Sequence, residues 1–242
     1  MRFEIRFTYD FVRRFLPQGC RRILEVGCGT GEVAAALSQD GYVVIAIDSD
    51  PDSVVDAQRL GVDARVATWP DFNDDDFDAV LFTRSLHHIH PLAESVKHAA
   101  DRLADDGRII VEDFAYESTD EKTLRWFARV IRSLKTAGLL IEGDELLSKT
   151  ETLNEWRENH GHELHTAAEI GAQLEKLLGN VIKEEVPYYF RYLASAIIVT
   201  EKRDVILQDL AEQESKCAAD GLIVALGRRF VAAQSRSVRN KS

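Results

Sequence analysis

Between residues 22 and 111 the chain alternates short apolar runs, the first two stopped by Gly and by Asp, with stretches long enough for a helix. Arg22 to Val26 (RILEV) stops at glycines. Tyr42 to Ile47 (YVVIAI) stops at Asp48. Asp63 to Ala67 is a weaker run, Asp78 to Thr83 (DAVLFT) a clear one, and Arg108 to Val111 (RIIV) the fifth, after the turn Asp105-Asp106-Gly107. Buried strands separated by helix-length crossovers imply a parallel sheet with helices on both faces. The intervening segments carry helix signals. Val33, Ala36 and Leu37 share one face, with Gly41 at the C-terminal cap. Asp50-Pro51 pairs an N-cap with a proline at the first helical position, and that helix ends at Gly61. After Pro91, Leu92, Val96, Ala99 and Leu103 recur at helical spacing.

Beyond Asp113 the pattern changes. Ser118 and Glu121 form a capping box ahead of a helix bearing Leu124, Phe127, Ile131 and Leu134. Helix-like sequence continues through Trp156 to about His160. A second capping box, Thr166 with Glu169, opens a helix carrying Ile170, Leu174 and Leu177. Val181 to Phe190 and Leu193 to Thr200 read as two more strands, joined too tightly for a helix and therefore antiparallel. Residues 203–242 read as helical and end in a small basic tail. No linker divides the chain. The expectation is a single domain over 1–242, with a cofactor core at about 20–115, a helical insertion or lid at about 115–162, and a C-terminal helical extension at about 203–242.

Length allows this: 242 residues at ~150 per domain is one to two domains, enough for a core without staples. The charge of −11 argues against nucleic acid as a partner, since phosphate binding needs clustered Lys and Arg. Three scattered cysteines, Cys20, Cys28 and Cys217, suit a reducing, cytoplasmic setting rather than a disulfide framework or a zinc ribbon. No apolar run approaches the ~20 residues of a membrane span, and the charged, aromatic N-terminus is not a secretory signal.

The chemistry concentrates in Glu25-Val-Gly27-Cys28-Gly29-Thr30-Gly31, directly after the first strand. Glycines let the chain turn sharply and let a ligand approach the main chain, and the following helix opens with unpaired N–H groups. The spacing is G-x-G-x-G, not the G-x-G-x-x-G of a dinucleotide site. Glu25 stands two residues ahead of the first glycine, which disfavours a diphosphate and suits a cationic ligand. Asp48, at the second strand's end, is positioned to accept ribose hydroxyls. Together they point to a nucleoside with a positively charged, phosphate-free tail.

These features resemble the class I S-adenosylmethionine-dependent methyltransferases, of the small-molecule type. The resemblance rests on ILEVGCGTG (Ile23 to Gly31), AIDSD (Ala46 to Asp50), FDAVLFTRSLHHIHP (Phe77 to Pro91) and LADDGRIIVEDF (Leu103 to Phe114), in the family's order and over a little under half the chain. It implies a Rossmann-like α/β fold with a seven-stranded sheet of order 3-2-1-4-5-7-6, strand 7 alone antiparallel. It implies S-adenosylmethionine as cofactor and a small-molecule acceptor, with O-methylation favoured over N or C. A homodimer is compatible with it. Gly27, Cys28, Gly29 and Gly31 would lie under the methionine part, with Glu25 holding that loop. Asp48 would take the ribose, with Ser49 beside the adenine. The acidic residue the family often has after the third strand is missing here; Ala67 and Thr68 main chain and Trp69 would substitute. Thr83 and Arg84 would reach the cofactor's amino-acid end or the transfer site, and His88 matches the family's usual histidine.

For the chemical step the candidates are Glu112 and Asp113, at the carboxyl edge of the sheet, and His87. Each has a plain alternative. The two acids would equally serve as a cap or a solvated turn, and a histidine as hydrogen-bonded scaffold. His88 is read as shaping the pocket. No metal is expected: His162-Glu-Leu-His165 lacks the H-E-x-x-H pattern. The aromatics Trp126, Trp156, Tyr188, Tyr189 and Tyr192 are candidate acceptor walls, core packing being their commoner fate. The competing readings are cofactor binding without methyl transfer, other chemistry on the same cofactor, a non-catalytic partner subunit docking through 203–242, and a nicotinamide-dependent oxidoreductase.

Overall fold

The structure is a computed structural model that describes residues 1–141, 152–160, 163–198 and 201–233. In chain order it runs α1 (Phe3–Phe15), β1 (Arg22–Val26), α2 (Glu32–Gln39), β2 (Val43–Asp48), α3 (Pro51–Arg59), β3 (Asp63–Val66), β4 (Phe77–Thr83), α4 (Leu92–Asp101), β5 (Leu103–Phe114), α5 (Glu121–Thr136), α6 (Leu153–His160), α7 (Ala167–Leu178), β6 (Val181–Val186), α8 (Tyr189–Ala194), α9 (Arg203–Ala219) and β7 (Gly227–Ala233). The strands form one seven-stranded sheet of order β3-β2-β1-β4-β5-β7-β6, the order expected. β1, β2, β3, β4 and β5 pair in parallel. β7 runs against β5. The Ala115 N–H, just past the end of β5, bonds the Leu226 carbonyl ahead of β7, and Arg229 meets Glu112.

The chain divides into two compact units. One comprises residues 5–113, 167–184 and 229–242 and holds most of the sheet. Its core sets Ile23, Val44, Ala46, Ala79, Leu81 and Ile110 from the strands against Phe11, Val12, Val33, Leu37, Val54 and Ala57 from α1, α2 and α3. The β-branched strand residues and the helix stripes thus meet as the apolar periodicity requires. The other unit comprises residues 1–4, 114–166 and 185–228. Its core is aromatic: Phe127, Trp156, Tyr189 and Tyr192 lie ring to ring, and the Trp156 N–H bonds the Tyr116 carbonyl at 3.0 Å. The candidate walls Trp156, Tyr188 and Tyr189 are therefore buried packing residues of this unit.

Four sequence expectations need correction. Leu103 begins β5 rather than continuing α4. The β3–β4 connection, residues 67–76, contains no helix. The N-cap of α5 is Asp120, whose carboxylate accepts the Thr123 N–H at 2.7 Å, rather than Ser118.

The fourth is the expected hairpin of strands 6 and 7. β6 stops at Val186, and the apolar run that follows is the helix α8. The buried Glu214 carboxylate accepts the Tyr188 N–H at 2.6 Å, satisfying the start of that helix. Ile197 only bridges Leu140, and residues 199–200 of the expected strand lie outside the described residues. Strand 7 is instead residues 227–233, inside the segment expected to be a helical extension. Only α9 of that extension is helical, and residues 234–242 lie outside the described residues. Arg229 is buried in β7 because its guanidinium bonds Glu112 at 2.8 and 2.6 Å and lies over the Phe7 and Phe11 rings. No described helix is long and apolar enough to cross a membrane.

Candidate functional site

Within the sheet-bearing unit, the carboxyl ends of β1, β2 and β4 border two adjoining cavities that share Gly27, Gly29 and Arg84. The larger, about 620 Å³, is lined by Asp48 and Ser49, by Ala67, Thr68 and Trp69, and by Ser85, His88, Ile89 and His90. The smaller, about 240 Å³, takes Ile5, Glu25, Cys28, Glu32 and Thr83. In open α/β sheets this edge is where ligands bind.

The glycine loop is built by main-chain bonds. Gly27 and Cys28 N–H groups both donate to the Ile47 carbonyl, at 2.8 and 3.0 Å, tying the loop to the end of β2. Gly27 has φ +69°, and a Cβ there would meet Ser85 Cβ at 2.4 Å. Gly31, at φ +74°, is the N-cap of α2, and a Cβ there would meet the Ala57 Cβ of α3 at 2.5 Å. It lines neither cavity, so its glycine serves helix packing. The Asp48 carboxylate accepts the Gly29 N–H at 2.8 Å and the Asp50 N–H at 3.0 Å. Each oxygen keeps a further acceptor position. The Trp69 N–H is spent on the Ser95 carbonyl at 3.2 Å, leaving its ring as an apolar face.

Glu25 is the most unusual group. It is 1% exposed; Oε1 accepts the Thr83 hydroxyl at 2.6 Å, and Oε2 has no hydrogen-bond partner among the described residues. Burial pushes its carboxyl up to about 7, against the pull of Thr83 and Arg84. A buried, half-satisfied carboxylate is costly unless a donor or a cation completes it. Cys28 offers no nucleophile, since burial and the nearby acids push its thiol up to about 12.

Of the sixteen site residues named from sequence, twelve border the two cavities: Glu25, Gly27, Cys28, Gly29, Asp48, Ser49, Ala67, Thr68, Trp69, Thr83, Arg84 and His88. Gly31 and the three candidates for the chemical step do not. Glu112 is enclosed by Arg229 and by Thr8, whose hydroxyl donates to it at 2.6 Å. Asp113 faces His87 Nδ1 at 2.7 Å and accepts the His87 N–H at 3.2 Å, and both are buried. This pair anchors the turn that carries His88 and His90 to the cavity wall. The His88 ring lies 4.0 Å from that of His87, and its basicity is lowered by burial and by His87, so it stands neutral near pH 7. Ile5, Ser85 and His90 line the cavities and were not anticipated. Ile5 and Ser85 carry no chemical signature in sequence, and His90 lies two residues past His88. Among the described residues no three His, Cys, Asp or Glu converge as a metal site; His162 lies outside them.

A family model described as a methyltransferase domain matches residues 2–176. A trans-aconitate 2-methyltransferase of Mycobacterium tuberculosis is 29% identical over 125 residues, covering 50% of this chain and 48% of that protein. A ubiquinone biosynthesis O-methyltransferase of Xylella fastidiosa is 32% identical over 127 residues, 49% of each. The chain thus spans about half the length of the curated relatives it matches. Among solved structures, the Haemonchus contortus phosphoethanolamine N-methyltransferase 2 bound to S-adenosyl-L-methionine superposes with a TM-score of 0.59. That match has 15% identity and covers 96% of this chain and 53% of that one.

Proposed function

Since the chain belongs to the methyltransferase-domain family of S-adenosylmethionine-dependent enzymes, we propose that it transfers the methyl group of S-adenosylmethionine to a small-molecule acceptor, at oxygen. The observation that carries this reading is the Glu25 carboxylate, buried with one oxygen unpartnered beside a bare glycine main chain. A cationic ligand tail completes it; a diphosphate would be repelled. S-adenosylmethionine, when bound, supplies an activated methyl group, so the protein's contribution is alignment and exclusion of water.

Each side chain then has a task. Asp48 keeps acceptor positions for the ribose hydroxyls, and Ser49 stands beside it. Ala67, Thr68 and Trp69 form the wall for the base. Gly27, Cys28 and Gly29 let the ligand rest against the main chain, and Glu25 receives the ammonium of the amino-acid tail. Thr83 fixes Glu25. His88, neutral and on the cavity wall, takes the proton that a hydroxyl acceptor gives up. Glu112, Asp113 and His87 act by positioning Arg84 and the His88 turn.

The test is transfer of isotopically labelled methyl from S-adenosylmethionine into a metabolite extract, analysed by mass. The proposal expects a small product with one added methyl on oxygen. A second reading, binding without transfer, draws on the internal engagement of Glu112, Asp113 and His87. Tight S-adenosylhomocysteine binding with no labelled product from any extract would favour it.

A further inference from the structure

Among the described residues, Arg84 is the one Arg or Lys that lines either cavity, and it borders both. It holds φ +67°, a left-handed conformation that a non-glycine residue adopts at a cost and that clusters at functional sites. Its Nη1 donates to Thr8 Oγ1 at 3.1 Å and to Glu112 Oε1 at 3.4 Å. Among the described residues, Nε and Nη2 carry no hydrogen bond. Those two N–H groups form the planar edge of a guanidinium that matches a carboxylate bidentately. The side chain is 29% accessible, so the edge is reachable.

The carboxylate it bonds is shared. Glu112 lies between two guanidiniums and sits closer to Arg229, at 2.6 Å, than to Arg84, so it neutralises Arg84 only in part. Of the acids that line the cavities with Arg84, Asp48 holds the Gly29 and Asp50 N–H groups, Glu25 is bonded to Thr83 and is the group assigned to the methyl donor's ammonium, and Glu32 borders the smaller cavity.

We propose that the free edge of Arg84 is a carboxylate subsite for the methyl acceptor, so that the acceptor is an anionic small molecule held by a carboxylate. This rests on the methyl-transfer reading and names the substrate class for the same site. A carboxylate at this edge has two sources, the acceptor and the methyl donor's own amino-acid end, and the experiment separates them. The full chain is saturated with S-adenosylhomocysteine and titrated calorimetrically with malonate, glutarate and benzoate, and with the corresponding amides. At least one carboxylate should bind where its amide does not. Arg84→Gln should weaken that binding ~10-fold or more, the usual worth of a bidentate charge-assisted pair. S-adenosylhomocysteine affinity should move less than twofold. Arg84→Lys, which keeps the charge and loses the fork, should fall between the two. Melting temperatures confirm that each variant is folded.

Three results would overturn the proposal: no carboxylate binding to the saturated chain, carboxylate binding that survives Arg84→Gln, or a folded Arg84→Gln that loses S-adenosylhomocysteine. The last would assign the edge to the donor. A wild-type chain that never binds S-adenosylhomocysteine would instead remove the methyl-transfer reading itself.

Discussion

At the scale of single residues, the two acids at the strand ends differ in kind. Asp48 is partly accessible and already holds the Gly29 and Asp50 N–H groups. Asp48→Ala should weaken S-adenosylhomocysteine binding by about 1–3 kcal/mol, the worth of charge-assisted hydrogen bonds. Calorimetry on a variant of unchanged fold checks this, and an unaltered affinity removes the ribose assignment. Glu25 should instead report through pH. Its carboxyl, raised to about 7, stays protonated in the folded chain where an unfolded glutamate is ionised. Its stabilising contribution is therefore complete below about 4.5 and is lost as pH rises through about 7. Glu25→Gln should stabilise the unliganded chain above pH 7 relative to wild type, and the difference should vanish in acid; urea unfolding at several pH values measures it. A cationic tail needs the ionised form. Wild-type affinity for S-adenosylhomocysteine should thus rise from pH 6 to 8, while the Gln variant shows a weak, flat profile.

Among elements, legibility followed locality. β1, β2, β4 and the cap of α3 announce themselves in a few consecutive residues, and the structure keeps them within a residue or so of their expected bounds. The same holds for the positions of the glycine loop and Asp48, which depend only on the strand-turn-helix they sit on. β7 was invisible for the opposite reason. Arg228-Arg229 reads as part of a helical extension until Glu112, 117 residues earlier, is known to neutralise Arg229 inside the sheet. The apolar run after Tyr188 is short enough to be strand or helix, and a distant carboxylate, Glu214, decides for helix. The catalytic candidates failed to reach the cavities likewise: a sequence shows an acid at a strand end but not the partner already holding it. The capping correction is testable at this scale. Asp120→Ala should cost about 1 kcal/mol by chemical denaturation, whereas Ser118→Ala should cost little. The reverse order would restore Ser118 as the cap.

For the whole molecule, the acidic balance and the site agree in excluding a polyphosphate ligand: the net charge is −11, and a carboxylate stands at each of the two strand tips flanking the glycine loop. Sheet order and family membership are common to many methyltransferases and do not choose an acceptor. What distinguishes this chain is which charges its loops leave facing the cavities. On the proposed reading, those cavities take an adenosyl ligand with a cationic tail. Calorimetric titration of the purified chain with S-adenosylmethionine, S-adenosylhomocysteine and NAD tests this most directly. Saturable binding of the first two, with NAD silent, is the predicted result; a folded chain that ignores both sulfur nucleosides, or that prefers NAD, would contradict it.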